Sequence, residues 1–83
     1  MVAVVASAED LVPRGGRVLV ADDDEQLCRH LAAALAAAGH QVVAANDGAD
    51  ALAVARSSPP DVAIVDLTMP TSGLDVVRQL KEM

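Results

Sequence analysis

Three short, uninterrupted apolar runs at residues 18–21, 42–45 (in a strand expected over Gln41 to Ala45) and 62–65 alternate with stretches of helical periodicity, and this alternation constrains the fold more than any other feature. A run apolar at consecutive positions suits a strand covered on both faces, which is the situation in a parallel sheet. Between the first two runs, Leu27, Leu31, Ala34, Leu35 and Ala38 repeat as one helical stripe, with Asp24 as N-cap and Gly39 as stop. Asn46, Asp47 and Gly48 supply turn and cap chemistry for a second helix carrying Ala49, Leu52, Ala53 and Arg56, and Ser57, Ser58, Pro59 and Pro60 break it. A third helix carries Leu74, Val77 and Leu80 on one face. The order βαβαβα predicts an α/β fold with right-handed crossovers, a flavodoxin-like doubly wound parallel sheet with strand order 2-1-3.

Size limits how this fold is held. A chain of 83 residues buries only roughly 60% of the surface it exposes when unfolded. Hydrophobic residues make up 53% of the chain, yet it has no Phe, Trp or Tyr, so the core must come from close backbone approach by small side chains. The net charge of −6 and the scatter of the six basic residues argue against a nucleic-acid or anionic-membrane surface. The lone Cys28 cannot form an intramolecular disulfide, and with no zinc-type spacing nearby it reads as a small, reduced helix residue. The apolar stretch at residues 1–8 lacks a basic start and is too short to span a bilayer, so the expected compartment is the cytoplasm. Residues 1–16 end in Leu-Val-Pro-Arg-Gly-Gly and read as a flexible leader or tag-derived segment, since residues 11–15 match the core of a protease site used in expression tags. The domain proper is expected over residues 17–83.

The acids carry the chemistry. In an open α/β sheet a ligand binds beyond the carboxyl ends of the strands, at a switch point of the winding. Asp22 and Asp23 follow the first predicted strand and Asp66 ends the third, and order 2-1-3 makes these two strands neighbours. Carboxylates gathered there repel and raise one another's pKa unless a cation is present. A hard divalent ion with oxygen ligands resolves the conflict, and Mg²⁺ suits a site with few protein carboxylates.

Val18-Leu19-Val20-Ala21-Asp22-Asp23-Asp24, followed by Asp61-Val62-Ala63-Ile64-Val65-Asp66-Leu67-Thr68-Met69-Pro70, resembles the two N-terminal signatures of response-regulator receiver domains of two-component systems. The likeness covers roughly residues 17–83, the first three βα units of such a domain. It implies that Asp66 is the nucleophile that accepts a phosphoryl group from a histidine kinase, a phosphotransfer protein or a small phosphodonor. It further implies that Asp22, Asp23, Asp66 and the main-chain carbonyl of Thr68 hold Mg²⁺. Asp66 would then promote its own phosphorylation without the chain being a turnover enzyme.

The sequence departs from this family in two places. The family's later units supply a hydroxyl residue and a lysine to the phosphoryl group, and neither has a match here; Lys81, the only lysine, lies on the third predicted helix. Between Pro70 and Gly73 stand two residues, Thr71 and Ser72, where the common family loop has three. A rival reading follows, a degenerate, non-phosphorylated receiver remnant acting as an interaction or dimerisation module. An Asp-dependent phosphatase ranks below both, because Gln26 stands where its motif needs Thr or Val.

Plainer roles suit the remaining candidates. Asp24 and Glu25 serve as a capped, acidic helix start, and Asp47, Asp50, Asp61 and Asp75 as solvated or capping groups. His30 and His40 are expected at the surface, and Gly73 serves backbone geometry. With order 2-1-3 the third strand is left as an open edge, so self-association through it is expected.

Overall fold

The computed structural model describes residues 2–6, 15–67 and 73–82, with side chains described for 15–67 and 74–82. Its elements are β1 (Val2–Ala6), β2 (Arg17–Ala21), α1 (Glu25–Ala37), β3 (Gln41–Ala45), α2 (Gly48–Ser57), β4 (Val62–Asp66) and α3 (Gly73–Lys81). The three strands expected from the apolar runs lie parallel with β2 central, Val18 pairing with Val42 on one side and Val62 on the other. The predicted winding, in which the first and third runs are neighbours, is therefore the one observed.

Alternation along β2 builds a core on each face of the sheet. Val18 and Val20 point to one side, where Cys28, Leu31 and Leu35 of α1 cover them together with Val42 and Ile64. Leu19 and Ala21 point to the other, joined by Ala45, Ala63 and Val65 and covered by Ala51 and Ala55 of α2 and Val76, Val77 and Leu80 of α3. Strand side chains alternate with period two, so one buried central strand feeds both cores. Arg56 Nη2 donates to Gln79 Oε1 at 3.3 Å and ties α2 to α3 over this second face.

Alanine sets how closely α2 sits on the sheet. Ala51 and Ala55 have no exposed surface, and a larger side chain there has nowhere to go. Ala55→Leu should destabilise the chain by about 1–3 kcal/mol through overpacking. Ala53→Leu, on the exposed side of the same helix, should be close to neutral when both variants are compared by urea titration.

The buried faces of α1 and α2 are rotated from those expected, whereas α3 buries Val77 and Leu80 as expected and leaves Leu74 outside. Leu27 is 40% exposed and Leu74 56% exposed, while Cys28 and Val76, each adjacent to an expected position, are buried. Ala34 and Ala38 are also exposed, so the packed face of α1 runs through Cys28, Leu31 and Leu35. Alanine and leucine recur so often in α1 that several stripes satisfy a helical period, and packing selects among them.

A larger departure concerns the leader. Val2–Ala6 forms strand β1, antiparallel to β4, with Val4 opposite Ile64 and Ala6 opposite Val62. The full order is β1-β4-β2-β3. The edge of β4 expected to be open is thus filled by the chain's own N-terminal segment in this structure. The rest of the expected leader, residues 7–14, lies outside the described residues.

At the opposite end of the sheet from the acids, Arg17 and Asp61 lock β2 to β4. The Arg17 amide donates to the Asp61 carboxylate at 2.8 Å, and the Asp61 amide donates to the Arg17 carbonyl at 2.9 Å. Asp61 therefore does more than solvate or cap. His40 is half-buried rather than at the surface, and its Nδ1 is buried without a hydrogen-bond partner. His30 is exposed as expected.

Candidate metal and phosphoryl-acceptor site

Strand pairing places the acids. Ala21 is paired with Val65, so Asp22 and Asp66, each one residue further on, emerge side by side at the carboxyl ends of β2 and β4. One carboxylate oxygen from each of Asp22, Asp23 and Asp66 lies within 4.8 Å of the others. Around an ion with bonds of about 2.0–2.1 Å, oxygens on opposite sides are about 4.2 Å apart, so small side-chain adjustments bring three such oxygens onto one cation. The donor set is all hard oxygen, which fits Mg²⁺ and not a soft metal. Thr68, the fourth expected ligand, and the short loop through Ser72 lie outside the described residues.

Asp22 is the acid held most tightly. It is only 6% exposed, and its Oδ1 accepts the Asp24 amide at 2.9 Å. Its own amide donates to the Ala45 carbonyl at 3.0 Å, extending the parallel ladder one residue past β2. Its carbonyl accepts from Asn46 Nδ2 at 3.2 Å and from Cys28 Sγ at 3.3 Å. The turn after β2 is thereby fixed from both α1 and β3.

Neither Asn46 nor Cys28 stands out in the sequence as part of a site. Their signal is spatial, since both converge on one carbonyl from distant positions.

Electrostatics follow from this crowding. Burial, foremost, raises the Asp22 pKa; the Asp24 amide counteracts it, while the neighbouring Asp66 and Asp23 carboxyls raise it further. The Cys28 thiol is pushed up by burial first and by the negative charge of Asp22 next, which keeps it protonated and able to donate. Asp23 is exposed and Asp66 half-buried, so the cluster opens to solvent on one side.

Asp24 and Asp47 stay out of the cluster as helix caps. Asp24 accepts the Leu27 amide at 3.1 Å as N-cap of α1, with Glu25 in the first turn. Asp47 accepts the Asp50 amide at 2.7 Å as N-cap of α2. Lys81 is exposed at the end of α3.

With this geometry in view, the sequence matches the response regulator receiver domain over residues 18–83. The chain belongs to that receiver family. It is similar to the transcriptional regulatory protein KdpE of Mycobacterium tuberculosis, 48% identical over 65 residues that make up 77% of this chain and 29% of KdpE. It is also similar to protein PilH of Pseudomonas aeruginosa, 42% identical over 65 residues that cover 77% of this chain and 54% of PilH. The probable transcriptional regulatory protein TcrX of Mycobacterium tuberculosis matches at 42% identity over 77% of this chain and 28% of its own length. The chain therefore spans from about a quarter to about half the length of these relatives. As in the expected receiver fold, parallel strands present acids at their carboxyl ends. No helix among the described residues is long and apolar enough to cross a membrane.

Proposed function

We propose that this receiver chain is a phospho-accepting module of a two-component phosphorelay, with Asp66 taking a phosphoryl group from a histidine kinase or phosphotransfer protein in the cytoplasm. The observation that carries this reading is the convergence of Asp22, Asp23 and Asp66 at the carboxyl ends of two adjacent parallel strands. An Asp66 carboxylate oxygen forms a bond to phosphorus as the bond from phosphorus to the donor's imidazole nitrogen breaks, and the electron pair leaves with that nitrogen. Asp22, Asp23, Asp66 and the Thr68 carbonyl would hold Mg²⁺. The ion would supply positive charge that offsets repulsion between the acids and the phosphoryl oxygens. Asp22 is pinned through its carbonyl, amide and one carboxylate oxygen, which fixes its place in the cluster. The chain transfers the group onto itself once and is not a turnover enzyme.

Incubation with Mg²⁺ and acetyl phosphate, followed by intact mass measurement, tests the assignment. The expected result is a single phosphoryl adduct that is absent without Mg²⁺ and absent in Asp66→Asn. An adduct that survives this substitution would remove the site assignment. No adduct in the folded chain would favour the non-phosphorylated interaction module, because the family's hydroxyl and lysine positions have no counterpart among these residues.

A further inference from the structure

The β4 edge has an occupant whose sequence nearly repeats that of β4 itself. Strand β1 reads Val-Ala-Val-Val-Ala and β4 reads Val-Ala-Ile-Val-Asp. They run antiparallel, centred on Val4 opposite Ile64. A second copy of the chain, related by a two-fold axis midway between the two Ile64 residues, would bring its own β4 against this edge in the same orientation and with the same centre. Such a pairing is self-complementary, as an isologous dimer interface requires. The slot now filled by β1 is therefore the slot that a second β4 would fill.

We infer that β1 is a tethered mimic of β4 that plugs the sheet edge, and that its displacement turns the chain into a homodimer paired β4 to β4. This inference does not depend on phosphorylation.

Local concentration decides which occupant wins. Ala6 and Val18 both pair with Val62, from opposite sides, so they sit two strand spacings apart, about 10 Å. Residues 7–17 can span more than about 30 Å, so the tether reaches without strain. Tethering within one chain holds the strand at an effective concentration of order millimolar. At about 10 μM protein, β1 in the same chain outcompetes a second β4 by about a hundredfold.

The difference at the last position favours the plug further. Ala6 faces Val62, where the second copy would place the carboxylate-bearing Asp66. Helix α3 packs against β1 as well as β4, so its cover also depends on this slot being filled. An empty slot would expose both a row of unpaired backbone groups and part of an apolar helix face.

Two altered forms test the inference beside the intact chain. In one, residues 1–14 are removed by cleavage after Arg14 and gel filtration. In the other, Ala3→Pro and Val4→Pro are combined; of two consecutive strand residues one must donate toward β4, so the pair removes that bond while keeping the tether. Sedimentation velocity at 10–100 μM and far-UV circular dichroism are measured on all three. The intact chain is expected to be monomeric and both altered forms to be helical with doubled mass. A peptide of residues 1–14 should return the trimmed form toward monomer, and amide exchange along residues 62–65 should be slow in the dimer and faster on dilution. Equal masses for intact and altered forms, whether all monomer or all dimer, would overturn the inference. So would altered forms that are unfolded and monomeric, because β1 would then be a part of the fold and not a displaceable plug.

Discussion

Leu19→Ala is expected to destabilise the chain by about 3–5 kcal/mol, a large part of what a chain this short has. Leu19 is 1% exposed on the central strand, and the buried residues around it on that face are alanines and valines apart from Leu80 at the edge. Truncating it removes transfer free energy and leaves a cavity among neighbours too short to collapse into it, the condition that puts a Leu→Ala change at the costly end of its range. A domain of 83 residues has a total stability of about 4–12 kcal/mol, so this one substitution consumes much of it. Leu31→Ala provides the contrast. Leu31 is half-buried on α1, and its loss should cost about 1–2 kcal/mol. With no aromatic residue for fluorescence, urea titration followed by far-UV circular dichroism is the suitable measurement. Equal costs at the two positions would show that the sheet face under α2 and α3 is not the main core.

The alternation of apolar runs and helical stretches made the parallel sheet readable before any coordinates, because strand and helix periods are local properties of the chain. Order 2-1-3 followed from the winding rule, and it brought Asp22 and Asp66 together although they are far apart in sequence. β1 was not readable in the same way. Val2–Ala6 is as apolar as the other strands, but no helical periodicity follows it in the sequence, and its partner β4 lies at the far end of the chain. Antiparallel pairing across that separation leaves no periodic trace. Helix faces were legible in part: Val77 and Leu80 of α3 turn inward as expected, but with Ala and Leu so frequent in α1, sequence alone does not separate Leu27 from Cys28 as the residue that turns inward. The role of Asn46 was hidden because a side-chain amide supporting a distant carbonyl has no motif.

Asp22→Asn should make the metal-free chain more stable while abolishing its response to Mg²⁺. Asp22 is buried, and at neutral pH its charge faces Asp66 and Asp23. The amide keeps an oxygen that can accept the Asp24 amide, so the local turn survives while the desolvated charge is gone. Removing a buried charge crowded by like charges should yield about 1–2 kcal/mol, or roughly 4–15 °C in Tm for a domain this small.

The pH dependence identifies the cause. The folded-state pKa of Asp22 lies above its unfolded value, so between the two the folded state binds more protons, and stability falls as pH rises through that window. The penalty is complete above the raised pKa and is relieved as pH drops through it. The gap between Asp22→Asn and the parent chain should therefore be widest at neutral pH and shrink in mild acid. On the proposed metal assignment, Mg²⁺ at a hundred times its dissociation constant should stabilise the parent by about 2.7 kcal/mol and leave Asp22→Asn nearly unmoved. A variant less stable than the parent at neutral pH, or one that still gains from Mg²⁺, would show that Asp22 is a structural acid held by its hydrogen bonds and not a ligand kept under electrostatic stress.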